Sequence, residues 1–166
     1  MTAIVYTSNN GTTEKYAKAL SKKTGIPYFD FTKDKIKEGT EVIYLGWVMM
    51  NEIQGLAKAR EQFGSLKAVA AVGMMNTEKG IGEVKEKMNI EEPFFFLPGT
   101  FSVDNLKGMY KILMNMTVKM MKSKAKESDD PGLKRALEYF ENGIDMYSED
   151  NLAPLIAFIN GETVEE

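Results

Sequence analysis

Four short apolar runs constrain this chain more than any other feature: Ala3-Ile4-Val5-Tyr6, Val42-Ile43-Tyr44-Leu45-Gly46, Ala68-Val69-Ala70-Ala71-Val72 and Phe94-Phe95-Phe96-Leu97. Each is too short for a buried helix, and none alternates polar with apolar residues. Such runs, bounded by turn residues, read as strands buried on both faces. One more strand, second in chain order, is expected over residues 26–31, with Pro27 near its start, which makes Phe94–Leu97 the fifth. Helical spacing fills the gaps. Tyr16, Ala17, Ala19 and Leu20 recur on one face, and Gly25 ends that segment. A second helix ends near Phe63-Gly64 after a loop at 47–53, and a third spans about 77–88, weakened by Gly80 and Gly82. Strands alternating with helices predict a parallel sheet with right-handed crossovers. Five of them predict an α/β fold, an open doubly wound sheet in a three-layer sandwich, whose ligands bind at the carboxyl ends of the strands.

Length and composition narrow the function. The 166 residues suit one domain, and 43% hydrophobic residues suffice for a core. The net charge of -3 argues against a nucleic-acid partner. The chain has no cysteine and no histidine, which removes disulfides, thiolate and imidazole nucleophiles and the common zinc ligands. No metal site is expected. Redox chemistry in such a chain requires a borrowed cofactor. The N-terminal segment has no basic stretch ahead of its apolar run, and no uncharged stretch reaches the roughly 18 residues of a membrane span. The expected location is the cytoplasm.

The first strand runs into Thr7-Ser8-Asn9-Asn10-Gly11-Thr12-Thr13. Every residue except Gly11 carries a hydroxyl or amide, and the segment opens a helix. Free N–H groups and the helix dipole attract an anion there, and the side chains add neutral donors. The turn holds no lysine or arginine. It lacks the G-x-x-x-x-G-K-[S/T] of a P-loop and the G-x-G-x-x-G of a dinucleotide fold. Gly46-Trp47 at the end of the third strand in chain order leaves no phosphorylatable aspartate of the receiver kind. A plain capped turn would need fewer donors.

Tyr6-Thr7-Ser8-Asn9-Asn10-Gly11-Thr12-Thr13-Glu14 resembles the flavodoxin phosphate loop, [S/T]-x-[S/T]-G-x-T followed by a helix, with Ser8, Gly11 and Thr13 matching and Asn10 replacing a hydroxyl residue. The resemblance implies a flavodoxin-like fold, noncovalent FMN and electron transfer. Ser8, Asn9, Asn10, Gly11, Thr12 and Thr13 become the expected phosphate contacts. Within that superfamily the segment from Gly108-Met109-Tyr110-Lys111 to Met120-Met121-Lys122 is similar to the basic, Met-rich helical segment of the flavodoxin-like protoporphyrinogen dehydrogenase group.

An FMN ring needs flat apolar contact and polar edges. The expected ring loops supply Trp47, Val48 and Met49, then Met74, Met75 and Asn76, and lastly Gly99 and Thr100, with Gly46, Gly73 and Gly99 opening the backbone. Three functions follow: a flavodoxin-type shuttle serving a redox partner protein; a flavin-dependent reductase or dehydrogenase acting on a quinone or protoporphyrinogen-like planar acceptor; and a flavin-less binding module.

After the fifth strand the pattern changes. Within a single domain over 1–166, a helical insertion is expected at about 100–147. Its first helix, 105–122, gathers Leu106, Met109, Tyr110, Ile112, Leu113, Met114, Met116, Met120 and Met121 in one arc of about 200°, with Val118 outside it. That exceeds the width a core contact needs. The next helix, capped by Asp130 with Pro131 following, offers Leu133, Ala136, Leu137, Phe140 and Ile144 as a cover. A partner or a peripheral membrane surface is the alternative, since residues 105–127 hold six lysines and one acid, and residues 128–166 ten acids and two bases.

Overall fold

Each of the four apolar runs is a parallel strand of one sheet; the first three are buried on both faces, and Phe94–Phe96 of the fourth, an edge strand, are half-buried. The computed structural model describes residues 1–74 and 77–162. The elements in order are β1 (Thr2–Tyr6), α1 (Thr12–Thr24), β2 (Tyr28–Asp30), β3 (Glu41–Met49), β4 (Glu52–Ile53), α2 (Leu56–Phe63), β5 (Ala68–Gly73), α3 (Glu78–Lys87) and β6 (Phe94–Pro98). Then come β7 (Thr100–Phe101), a 3₁₀ turn (Val103–Asn105), α4 (Gly108–Glu127), α5 (Pro131–Asn142), β8 (Ile144–Asp145), a 3₁₀ turn (Glu149–Leu152) and α6 (Ala153–Ile159). Two compact units result: Met1–Gly99 with the chain from Tyr147 onward, and Thr100–Met146.

In the larger unit the strands lie in the order β2-β1-β3-β5-β6, all parallel, with β4 pairing antiparallel to β3. Side chains alternate across the sheet. Ile4, Tyr6, Ile43, Leu45, Ala68, Ala70 and Val72 pack with Tyr16, Ala17 and Leu20 of α1 and with Leu155 of α6. Ala3, Val5, Val42, Tyr44, Val69 and Ala71 pack on the other face with Leu56 and Ala59 of α2 and Val84 of α3. Both faces of every central strand are therefore covered, which is why these runs carry no polar residue. The unit is α/β, with a mostly parallel central sheet flanked by helices, compatible with a three-layer sandwich.

The expected loop at 47–53 is a hairpin instead. β3 continues to Met49, and Val48 pairs with Ile53 and Met49 with Glu52 around the two-residue turn Met50-Asn51. Both turn residues take positive φ, 53° and 61°, as a type I′ turn demands. The sequence hides this turn because its first position is methionine rather than Asn, Asp or Gly. The tip is tied to α3: Lys87 Nζ donates to Met50 O at 2.9 Å, and Asn51 Nδ2 donates to Glu83 Oε2 at 3.3 Å.

A second clamp joins α2 to the chain leading into β6. Arg60 donates to both oxygens of Glu92, at 2.8 and 2.7 Å, and to the carbonyls of Met88 and Asn89. The side chains are only 27% and 15% exposed. The hydrogen bonds from Arg60 hold the Glu92 carboxyl below its ordinary range, against an opposing contribution from burial. A lowered folded value contributes stability that is present above the unfolded value and is lost as pH falls through the folded one. Arg60→Ala is expected to cost about 2–3 kcal/mol in denaturant unfolding at neutral pH. Glu92→Gln should show a shallower loss of stability below about pH 5 than the parent. Equal acid slopes would remove this assignment.

In the smaller unit, α4 runs from Gly108 to Glu127 rather than over 105–122. Residues 123–127 are good helix formers and extend it, while its start shifts because a 3₁₀ turn occupies Val103–Asn105. α5 opens as expected, with Asp130 accepting from Gly132 N and Pro131 in the first turn. Ile144 does not extend the α5 stripe: it lies in β8, paired with Phe101, and Phe140 packs edge-on against Phe101 at 5.2 Å.

Candidate functional site

Where β1 ends, the chain is anchored before it turns. Thr7 N donates to Leu45 O at 3.1 Å. The buried Thr7 hydroxyl and the Tyr44 hydroxyl both donate to Gln54 O, at 2.8 and 2.7 Å, and lie 3.2 Å apart. Burial pushes the Tyr44 phenol above its ordinary range, with the Thr7 contact opposing. This knot fixes the base of the loop to the chain just after the β3–β4 hairpin, so Thr7 serves structure.

Ser8 to Thr13 then form a tight turn. Gly11 N donates to Ser8 Oγ at 3.0 Å, and Thr12 N donates to Asn10 Oδ1 at 3.1 Å. Gly11 sits at φ 92° immediately before α1, a conformation that favours glycine. The first-turn N–H groups of a helix have no intrahelical acceptors; here no side chain caps at Gly11, and Asn10 Oδ1 meets the N–H of Thr12. Two side-chain atoms of the turn are buried without a hydrogen-bond partner, Asn9 Oδ1 and Thr13 Oγ1. Thr13 is 1% exposed. A hydroxyl shut away from water with no partner costs on the order of 1–3 kcal/mol. A ligand oxygen would supply what Thr13 lacks, and a ligand hydroxyl what Asn9 lacks.

The flanks of the turn are defined too. Burial, and then the negative Glu14 and Asp30, push the Tyr6 phenol above its ordinary range, and Glu14 hydrogen-bonds it. Tyr6 therefore stays neutral. The Lys15 ammonium sits 4.3 Å from the centre of the Tyr147 ring, and that ring packs against Tyr16 at 4.6 Å, tilted by 49°. Tyr16 in turn donates to Pro98 O and accepts from Asn151 Nδ2.

Trp47 and Met49 lie on β3 two and four residues beyond Leu45, so they share its face, the face covered by α1. Both are half-buried. Val48 points to the opposite face, into the cluster with Ile53 and Leu56. Met74 is half-buried at the end of β5; Met75 and Asn76 lie outside the described residues. Gly99 N donates to Gly73 O at 2.8 Å. Thr100 belongs to the smaller unit, where its hydroxyl donates to Asp145 Oδ1 at 2.8 Å. The structure thus brings the six turn residues together and puts Trp47 and Met49 on one face of a neighbouring strand. Gly46 has a packing role: a Cβ there would stand 2.4 Å from Ile53 Cγ2 and 3.0 Å from Gln54 O. Sequence reasoning missed Gln54, whose carbonyl closes the knot; no side-chain pattern marks a backbone acceptor.

No protein-family model matches the chain, and no curated protein matches it. Among the described residues no helix is long and apolar enough to cross a membrane.

Proposed function

We propose that this protein is a flavodoxin-like FMN-binding protein that carries out electron transfer. The observation that carries the reading is the pair of buried, partnerless atoms in the β1–α1 turn, Thr13 Oγ1 and Asn9 Oδ1. One needs an acceptor and the other a donor. An anion without a proton, such as sulfate, answers only the first, whereas a phosphate ester of a polyol answers both. The order β2-β1-β3-β5-β6 supports the reading. With the hairpin strand set aside this order is compatible with the flavodoxin-type one, in which the turn after the first strand lies at the switch point where FMN binds.

In this reading Thr13, Ser8 and the first-turn N–H groups of α1 that follow Thr12, whose own N–H goes to Asn10 Oδ1, hold the phosphate with neutral donors. Ser8 Oγ already accepts from Gly11 N, so its own proton remains available to donate. Asn9, Asn10, Gly11 and Thr12 shape the turn, and Trp47 and Met49, which share a face of β3, supply the ring environment together with Met74 and Gly99. A bound flavin supplies one- and two-electron chemistry that a chain without cysteine or histidine cannot draw from its side chains. The protein's own part is to bind it, orient it and exclude water.

The test is titration of the ligand-free chain with FMN and with riboflavin, followed by flavin fluorescence. FMN is expected to bind at least about 100-fold more tightly, because two or more charge-assisted hydrogen bonds go to the phosphate. Equal affinities, or no flavin binding at all, would overturn the reading.

A further inference from the structure

We infer that α4 lies along an anionic lipid surface, with its exposed apolar stripe immersed among the headgroups. The helix has two apolar faces rather than one broad arc. α5 packs against α4, and the half-buried residues of α4, Tyr110, Lys111, Met114, Val118, Met121 and Ala125, fall in one row about 100° wide. Val118, which the single arc left out, belongs to this row. The other face is open. Met109 is 74% exposed, Ile112 61%, Met116 57% and Met120 61%, with Leu113 beside them. These five fall within about 100° of one another, nearly opposite the packed row. No residue of α4 is fully buried.

The charge around this stripe selects the occupant. Exposed Lys119 and Lys126 border it on one side and exposed Lys124 on the other. No acidic residue occurs between Asp104 and Glu127. An apolar stripe with lysines on both margins places its hydrocarbon below, and its ammonium groups at, the level of anionic headgroups. The stripe spans about 16 Å of helix, so it lies on a bilayer rather than through it. It is also a convex ridge of mostly unbranched side chains, which lipid accommodates without a matching groove. A second copy of the chain is the rival occupant, since residues 128–166 are acidic. Several of those acids are already engaged: Glu141 with Lys122, Asp129 with Lys134, Glu149 with Lys23, and Asp145 with Thr100.

The test is co-sedimentation of the full chain with vesicles of phosphatidylcholine alone or with roughly one-third phosphatidylglycerol, at low and high salt. Binding is expected to the anionic vesicles only, and to fall with salt. Ile112→Asn with Met116→Asn should reduce it at least about tenfold, with an unchanged thermal midpoint because both sites are exposed. Lys119→Glu with Lys126→Glu should reduce it at least about 25-fold. Lys18→Glu with Lys22→Glu on α1 makes the same change in net charge and should leave most binding intact. No binding to anionic vesicles at low salt overturns the inference, and so does equal loss in the α1 control. Self-association in sedimentation velocity that the Ile112/Met116 variant abolishes, without vesicle binding, assigns the face to a second copy instead. The readout needs no flavin, so it stands or falls apart from the proposed function.

Discussion

Gly55→Ala is expected to destabilise the chain by about 3–5 kcal/mol, the largest effect of any single-methyl change at the site. Gly55 sits at φ 80°, and a Cβ there would stand 2.3 Å from Tyr44 Oη and 2.8 Å from Thr7 Cγ2. The left-handed backbone costs a non-glycine residue about 1–2 kcal/mol, and overpacking adds about 1–3 kcal/mol. The clash falls on the knot in which Thr7 and Tyr44 share Gln54 O, and Tyr44 is fully buried with no room to retreat. In a chain of this size such a loss lowers the thermal midpoint by roughly 10 °C. Gly25→Ala is the comparison: its φ is 74° and nothing lies within 4 Å of the new Cβ, so only backbone strain of about 1 kcal/mol is expected. Equal losses in urea unfolding of the two variants would show that the contacts around Gly55 do not govern its stability.

Thr13→Val should separate ligand binding from stability by moving them in opposite directions. The hydroxyl is buried without a partner, so exchanging it for a methyl group should leave the ligand-free chain as stable as before, or more stable by up to about 1 kcal/mol. The same change removes a donor to a charged phosphate, so FMN should bind about 10–100-fold more weakly. Riboflavin affinity should stay unchanged. Ser8→Ala differs, because Ser8 Oγ also accepts from Gly11 N: it should weaken FMN binding and cost the ligand-free chain about 1 kcal/mol. If Thr13→Val lowered stability and spared FMN binding, Thr13 would be an ordinary helix residue, and the case for a phosphate at this turn would fail.

What the sequence determined by itself was the frame. The unbroken apolar character of Val42-Ile43-Tyr44-Leu45 and Ala68-Val69-Ala70-Ala71-Val72 requires cover on both faces, and in a chain of alternating elements that means a parallel sheet between helices. The Thr7–Thr13 turn was legible for the same local reason: hydroxyls and amides ahead of a helix mark a place where N–H groups lack partners. Tertiary structure alone decided the rest. Only the register of β3 against β4 turned residues 47–53 from a loop into a hairpin, because the type I′ turn at Met50-Asn51 is imposed by strand pairing against the preference of methionine. Only the folded turn separated its polar side chains into Ser8 and Asn10, which accept backbone N–H groups and close it, and Thr13, whose buried hydroxyl is left without a partner. The α4 arc likewise divided into a packed row and an open stripe only once α5 was in place. Helical periodicity tells which residues share a face, but which face a neighbour covers depends on contacts between segments far apart in the chain, and no local pattern encodes those.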